Sequence, residues 1–277
     1  MKDETRRLNI LHVSGSATTR RRDVVVREYP VTIFLNDVDL VTLLCSPMDL
    51  EYLAVGFLFG EGLIKDKKEI KRLFADKKDG AVWVETYKER KSLDNILAKR
   101  YITTGCGKGL SYTDPAEDGK RLRIDSGLKM LPNTVASLMK EFQRKSQVFR
   151  KTGGVHSAGL ANDGGFVAFK EDIGRHNAID KILGECVLRG TKCNDLVLIT
   201  SGRVSSDILI KAARGRIPVI ISKSAPTDLA VRLARKLGIT LVGFARGSRM
   251  NVYSNEWRIA TGSNAKTSAS THALPKS

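Results

Sequence analysis

The stretch from Asp195 to Ala245 repeats one alternation. Short apolar runs, "DLVLITS", "IPVIIS" and "ITLVGFA", are separated by segments with helical periodicity over 205–215 and 226–237, and a further helical segment over 175–188 precedes them. Runs of this length without polar alternation suit strands buried on both faces, with the intervening helices as covering layers. The fold class that follows is α/β, with the parallel part of the sheet built by right-handed crossovers. In such a sheet, ligands sit beyond the carboxyl ends of the strands.

The remainder of the chain reads as three further parts. Residues 1–22 are polar, end in Arg20-Arg21-Arg22 and read as a mobile basic arm. Residues 23–126 read as a smaller N-terminal α+β region: "YPVTIFL" and "VDLVTLLC" flank a tight Asn36-Asp37 turn, Ser46-Pro47 offers a helix cap, and "AVWVETY" is another strand. The helix after Ser46 carries Leu50, Leu53, Ala54, Phe57 and Leu58 on one face and stops near Gly60–Gly62. Residues 127–260 form the C-terminal α/β domain. It opens with a helix over 132–150 that stops at Gly153-Gly154, followed by a hairpin of "VHSAGLA" and "GFVAFKE" about Asn162-Asp163-Gly164-Gly165. The tail 261–277 is rich in Ser, Thr, Ala and Lys and is expected to be disordered.

Composition narrows the function classes. Lysine and arginine total 47 against 30 acids, a net charge of +17, so an anionic partner is expected. Aromatic content of 6% and the lack of a nucleic-acid module argue against nucleic acid; a phosphorylated small molecule, an acidic protein or simply a basic surface explains the same charge. Four separated cysteines without a Cys-x-x-Cys pair fit a reducing compartment and argue against structural zinc. With neither a long apolar run nor a signal-like N-terminus, the expectation is a cytoplasmic chain without membrane contact.

Three loops after strands, "SGRVSS", "SKSAPT" and "FARGSR", each combine small residues with a cation: Arg203, Lys223, and Arg246 with Arg249. Each alone reads better as a helix cap or turn; three in succession favour a shared anion site. They do not match GxxxxGK[ST], so nucleotide hydrolysis is not indicated. "EDIGRHNAIDK" packs Glu171, Asp172, Arg175, His176 and Asp180 together, as an acid/base pocket or as a capped helix start. His156 is a ligand or proton carrier, or simply a hydrogen-bonded histidine. Cys106, in "TTGCGKGL", stands among glycines beside Lys108, a setting that favours a reactive thiolate; a bystander in a glycine turn is the alternative.

"KTGGVHSAGL", "EDIGRHNAIDKILG", "SGRVSSDILIKAARGRIPVIISKSAPTDLAV" and "GITLVGFARGSRMNVYS" resemble, in order and spacing, the FdhD family of formate dehydrogenase accessory sulfurtransferases, from about Tyr29 to Arg258. The resemblance implies a sulfur carrier that works between a cysteine desulfurase and formate dehydrogenase. Its substrate would be the molybdenum or tungsten bis(molybdopterin guanine dinucleotide) cofactor. It implies a persulfide on Cys106, cofactor binding at Phe244, Ala245, Arg246, Gly247, Ser248 and Arg249, a cytidine deaminase-like three-layer domain without zinc, and a homodimer. Arg203 and Lys223 would add donors for the pyrophosphates. Many relatives carry Cys-Gly-x-Cys in the loop, where this chain has Gly109. The departure rules out an intraloop disulfide and keeps open a second reading, a cofactor-binding chaperone that transfers no sulfur.

Overall fold

The computed structural model describes residues 4–87, 101–103, 109–111 and 122–261. The chain begins with β1 (Thr5–Ser14) and β2 (Ala17–Val26), paired antiparallel along all ten residues of each. The segment 1–22, expected as an arm, thus lies largely within a hairpin. Gly15, at φ 59, reverses the chain. The pairing was hidden because both faces of the ribbon meet solvent, which leaves no apolar alternation to read.

The next layer is a four-stranded sheet of β3 (Tyr29–Leu35), β4 (Val38–Cys45), β5 (Ile70–Asp76) and β6 (Ala81–Thr86), in the order β4-β3-β6-β5. The expected turn is present: Asn36 and Asp37 both have positive φ, 48 and 66. Val31, Ile33 and Leu35 alternate inward and pack on Leu53, Ala54 and Leu58 of α1 (Leu50–Gly60). The expected cap is not used. The residue before α1 is Asp49, in the left-handed region without a side-chain cap bond. Ser46 is instead buried: its N–H donates to Asp172 Oδ2 at 3.0 Å, and its carbonyl accepts from Lys181 Nζ at 3.1 Å.

Beyond β7 (Tyr101–Thr103) and β8 (Gly109–Ser111), a short antiparallel pair, the expected helix over 132–150 is two helices. These are α2 (Pro132–Lys145) and α3 (Gln147–Thr152), broken at Ser146 with ψ 69. The break is held by a distant acid, because the Glu171 carboxylate accepts the Val148 and Phe149 N–H groups at 2.9 and 3.0 Å. These are donors that the start of a new helix leaves unpaired.

The C-terminal part has β9 (His156–Asn162), β10 (Gly165–Asp172), α4 (Arg175–Arg189), β11 (Val197–Thr200), α5 (Ser206–Arg214), β12 (Val219–Ser222), α6 (Asp228–Leu237), β13 (Thr240–Arg246) and β14 (Arg249–Ser254). Its sheet runs β10-β9-β11-β12-β13-β14, with β11, β12 and β13 parallel as the alternation required. Leu198, Ile220 and Leu241 face α4, α5 and α6. Val197, Ile199, Val219 and Ile221 face α2, giving three layers.

The N-terminal sheet joins this domain through α1 and α4. Gly56 and Gly184 mark the closest approach: a Cβ on Gly56 would lie 1.7 Å from Asp180 O, and one on Gly184 would lie 1.9 Å from Tyr52 O. Buried charges line the same seam, and Lys211 reaches across it to Glu61. Lys181 Nζ pairs with Asp172 at 2.6 Å, and Lys211 Nζ pairs with Asp180 at 2.7 Å and Glu61 at 3.6 Å. Burial opposes the charge on Lys211, but Asp180 and Glu61 raise its pKa above the ordinary lysine value. At the amino end of β13, Arg258 is fully buried and donates to Gly238 O, Ser126 O and Thr240 Oγ1.

Candidate functional site

A cavity of about 620 Å³ opens at the carboxyl ends of the parallel strands. Ser201 follows β11, Lys223 and Ser224 follow β12, and Arg246 ends β13. The opposite wall comes from the broken helix: Phe142, Ser146, Phe149 and Arg150, with Gly153 and Gly154 beyond. His156 and Ser157 complete it, because antiparallel β9 starts beside the end of β11. The helix break at Ser146 therefore has a local use. It turns α3 and sets Phe149 and Arg150 on the rim.

The floor is a chain of hydroxyls. Ser201 Oγ accepts the Ser157 N–H at 3.0 Å and lies 3.2 Å from His156 Nδ1. Ser157 Oγ donates to Ser146 Oγ at 2.9 Å and is 3.3 Å from Glu171 Oε1. Burial first, then the neighbouring Arg175 and His176, push His156 below its ordinary value of 6.5, with Asp172 pulling the other way. The shift favours the neutral imidazole, which can donate or accept a hydrogen bond.

The rim is cationic. The Arg246 Nε group donates to Lys223 O at 3.4 Å, and Lys223 Nζ stands 6.0 Å from the centre of the Phe149 ring. Two strand-end cations over a hydroxyl floor can hold a phosphorylated ligand by charge-assisted bonds, with an aromatic ring, 42% exposed, beside them. Among the described residues no group of three or more metal-type ligands occurs.

The fold brings some of the expected residues together and separates others. Lys223 and Arg246 line the cavity. Arg203 is exposed on the loop after Ser201 and does not line it. Ala245 points into the core, 1% exposed, so only its backbone can meet a ligand. Phe244 is exposed at φ 51, with its N–H on Ser224 O at 3.0 Å. Gly247, Ser248 and Arg249 form the exposed turn that follows, Arg249 paired in register with Arg246. Cys106 lies outside the described residues. It is central among the five residues that join Thr103 to Gly109, which pair across β7 and β8.

The acidic segment separates by role. Asp172 is fully buried and accepts from Ser46 N, Gly174 N, Asn177 Nδ2 and Lys181 Nζ. His176 Nε2 is 2.5 Å from Asp207 Oδ2. Burial would raise the Asp207 carboxyl, but the His176 hydrogen bond and charge, with Ser205, hold it below the usual carboxylate range. These residues tie elements together; none of Asp172, His176 and Asp180 lines the cavity. Reading the sequence missed Ser146, Ser157, Phe149 and Arg150. Their only signal is serine at strand ends and a serine inside a helical pattern, which caps explain as well.

Comparison with known proteins identifies the lineage. The model of the FdhD/NarQ family matches residues 26–260. The chain is 40% identical over 237 residues to the sulfur carrier protein FdhD of Bacillus subtilis (strain 168), covering 86% of this chain and 90% of that one. It is 41% identical over 237 residues to the protein of the same name from Staphylococcus aureus, covering 86% and 89%. A crystal structure described as a formate dehydrogenase accessory protein from Desulfotalea psychrophila superposes with a TM-score of 0.75 at 28% identity, covering 92% of this chain and 99% of that one. A match along nearly the whole described fold, with curated relatives at this identity, makes the chain a member of the FdhD/NarQ family.

Proposed function

We propose that the chain is a sulfurtransferase in formate dehydrogenase maturation. Cys106 attacks the outer sulfur of a desulfurase persulfide, the desulfurase thiolate leaves, and the new persulfide on Cys106 supplies sulfur to the molybdenum or tungsten bis(molybdopterin guanine dinucleotide) cofactor. That cofactor is substrate, not a resident group. Its pyrophosphate and guanine parts are the pieces the cavity suits.

The observation that carries the reading is the convergence of Lys223 and Arg246 above the His156 and Ser201 floor at the strand ends. Phosphate there meets cations and hydroxyl donors in a half-enclosed space. The relatives' name, sulfur carrier, supports the sulfur step, and the neighbour's description supports formate dehydrogenase as client. No helix among the described residues is long and apolar enough to cross a membrane.

Mass spectrometry after incubation with a cysteine desulfurase and cysteine is expected to show one added sulfur atom on Cys106. Cys106→Ala should then fail to restore formate dehydrogenase activity. Full restoration by Cys106→Ala, with Arg246→Ala inactive, would instead establish the cofactor chaperone that Gly109 keeps open.

A further inference from the structure

The ribbon of β1 and β2 lies almost wholly before residue 26, where the family match begins, and nothing in the cavity chemistry uses it. Its sheet has two strands only, so neither outer edge has a strand partner among the described residues. A two-stranded hairpin is marginal in water, and open edges invite another chain.

The register distributes the side chains in an uncommon way. Leu11 stands opposite Arg20 and Asn9 opposite Arg22 on one face; Ile10 stands opposite Arg21 and Leu8 opposite Asp23 on the other. Consecutive strand residues alternate faces, so Arg20-Arg21-Arg22 makes both faces basic. The ribbon carries five arginines, with only Glu4 and Asp23 against them. Between them Leu8, Leu11 and Val13 are 48, 62 and 58% exposed.

The foot of the ribbon is at the cavity. Arg27 N donates to Glu4 O at 2.8 Å, closing the base. Val26 packs on Gly154, where a Cβ would meet its Cγ1 at 2.8 Å, and Gly154 lines the cavity. The ribbon thus springs from the cavity wall, with Leu11, Val13 and Arg20 toward its free end.

We propose that the ribbon is the docking element for an acidic surface on the client enzyme; the proposal rests on the formate dehydrogenase reading above. Charge selects against the ribbon of a second copy, whose five arginines would meet these with like charge. Exposed leucine and valine select for protein over nucleic acid, whose phosphates give them nothing to cover. Edges without a neighbouring strand add main-chain pairing as the mode of contact.

The test uses the full chain and immobilised apo-formate dehydrogenase, read by biolayer interferometry at low and physiological salt. Arg20→Glu/Arg21→Glu/Arg22→Glu is expected to weaken binding about tenfold or more at low salt, mainly through the association rate. Leu11→Ser/Val13→Ser should weaken it at both salts, by faster dissociation. Guanosine diphosphate binding by each variant should equal the parent, showing an intact fold and cavity. Unchanged affinity in both variants overturns the proposal while leaving the maturation reading in place. So does a dimer that the arginine variant splits, or ribbon-dependent binding to duplex DNA but not to the enzyme. Absence of binding by the unmodified chain overturns the client reading itself, and the ribbon's partner with it.

Discussion

Replacing Gly184 by alanine tests the seam that holds the two sheets together. The added Cβ would stand 1.9 Å from the carbonyl oxygen of Tyr52, inside the 3.0 Å that real Cβ atoms keep. The obstacle is helical backbone, which cannot rotate away as a side chain would. Helices α1 and α4 must then part by more than an ångström, and Lys211 is drawn from Glu61 or Asp180 as they do. Overpacking of a tight core costs about 1–3 kcal/mol, and a backbone obstacle places this case at the upper end, about 3 kcal/mol. For a chain of this size that lowers the melting temperature by roughly 6–12 °C. Gly56→Ala should cost about as much, for the same reason on the facing helix. The double variant should cost less than the two together, because the first Cβ makes room for the second. Thermal unfolding followed by circular dichroism measures this, with Gly127→Ala, which would touch nothing within 4 Å, as control. A Gly184→Ala protein that melts within about 1 °C of the parent would refute the steric argument, since ordinary surface changes stay within about 0.5 kcal/mol.

Three other expectations concern the cavity and the buried thiol. Lys223→Ala and Arg246→Ala should each weaken guanosine diphosphate binding by roughly tenfold or more in calorimetry, the scale of a lost bond to a charged group. His156 has a folded pKa below its unfolded value of 6.5, so the unfolded chain binds the proton first. Stability is therefore full above pH 6.5 and declines as pH falls below it, and urea midpoints of His156→Gln should lose that decline. Burial first, then the charge of Asp172, push the Cys45 thiol up to about 12 against the opposing effect of Lys181, so a maleimide should label Cys45 only after unfolding. Labelling of Cys45 in the folded protein would contradict its place in the core.

The sequence made the parallel strands legible because full burial writes them as unbroken apolar runs: Val197–Thr200 and Val219–Ser222 have no exposed face to disguise them. Lys223 and Arg246 were legible by the topology of strand ends. The β1–β2 ribbon was not, since two solvated faces give no period, and the helix break at Ser146 depends on Glu171, 25 residues away. Ser46 looked like a cap because serine before proline commonly is one. Asp172, far along the chain, takes its N–H instead. Contacts such as Gly56 on Asp180 exist only once helices meet, and no local pattern announces them.

The buried Arg258 has a practical consequence for attaching the molecule to anything. It fastens the end of the described chain to Gly238 and Thr240, at the amino end of β13, whereas the cavity lies at Arg246. Seven strand residues separate those poles by about 20 Å. Glu4, by contrast, is bonded to Arg27 at the ribbon's foot, beside the cavity mouth. A tag or sensor linkage placed after Thr261 leaves the mouth facing solution, while the same tag before Glu4 stands in the doorway.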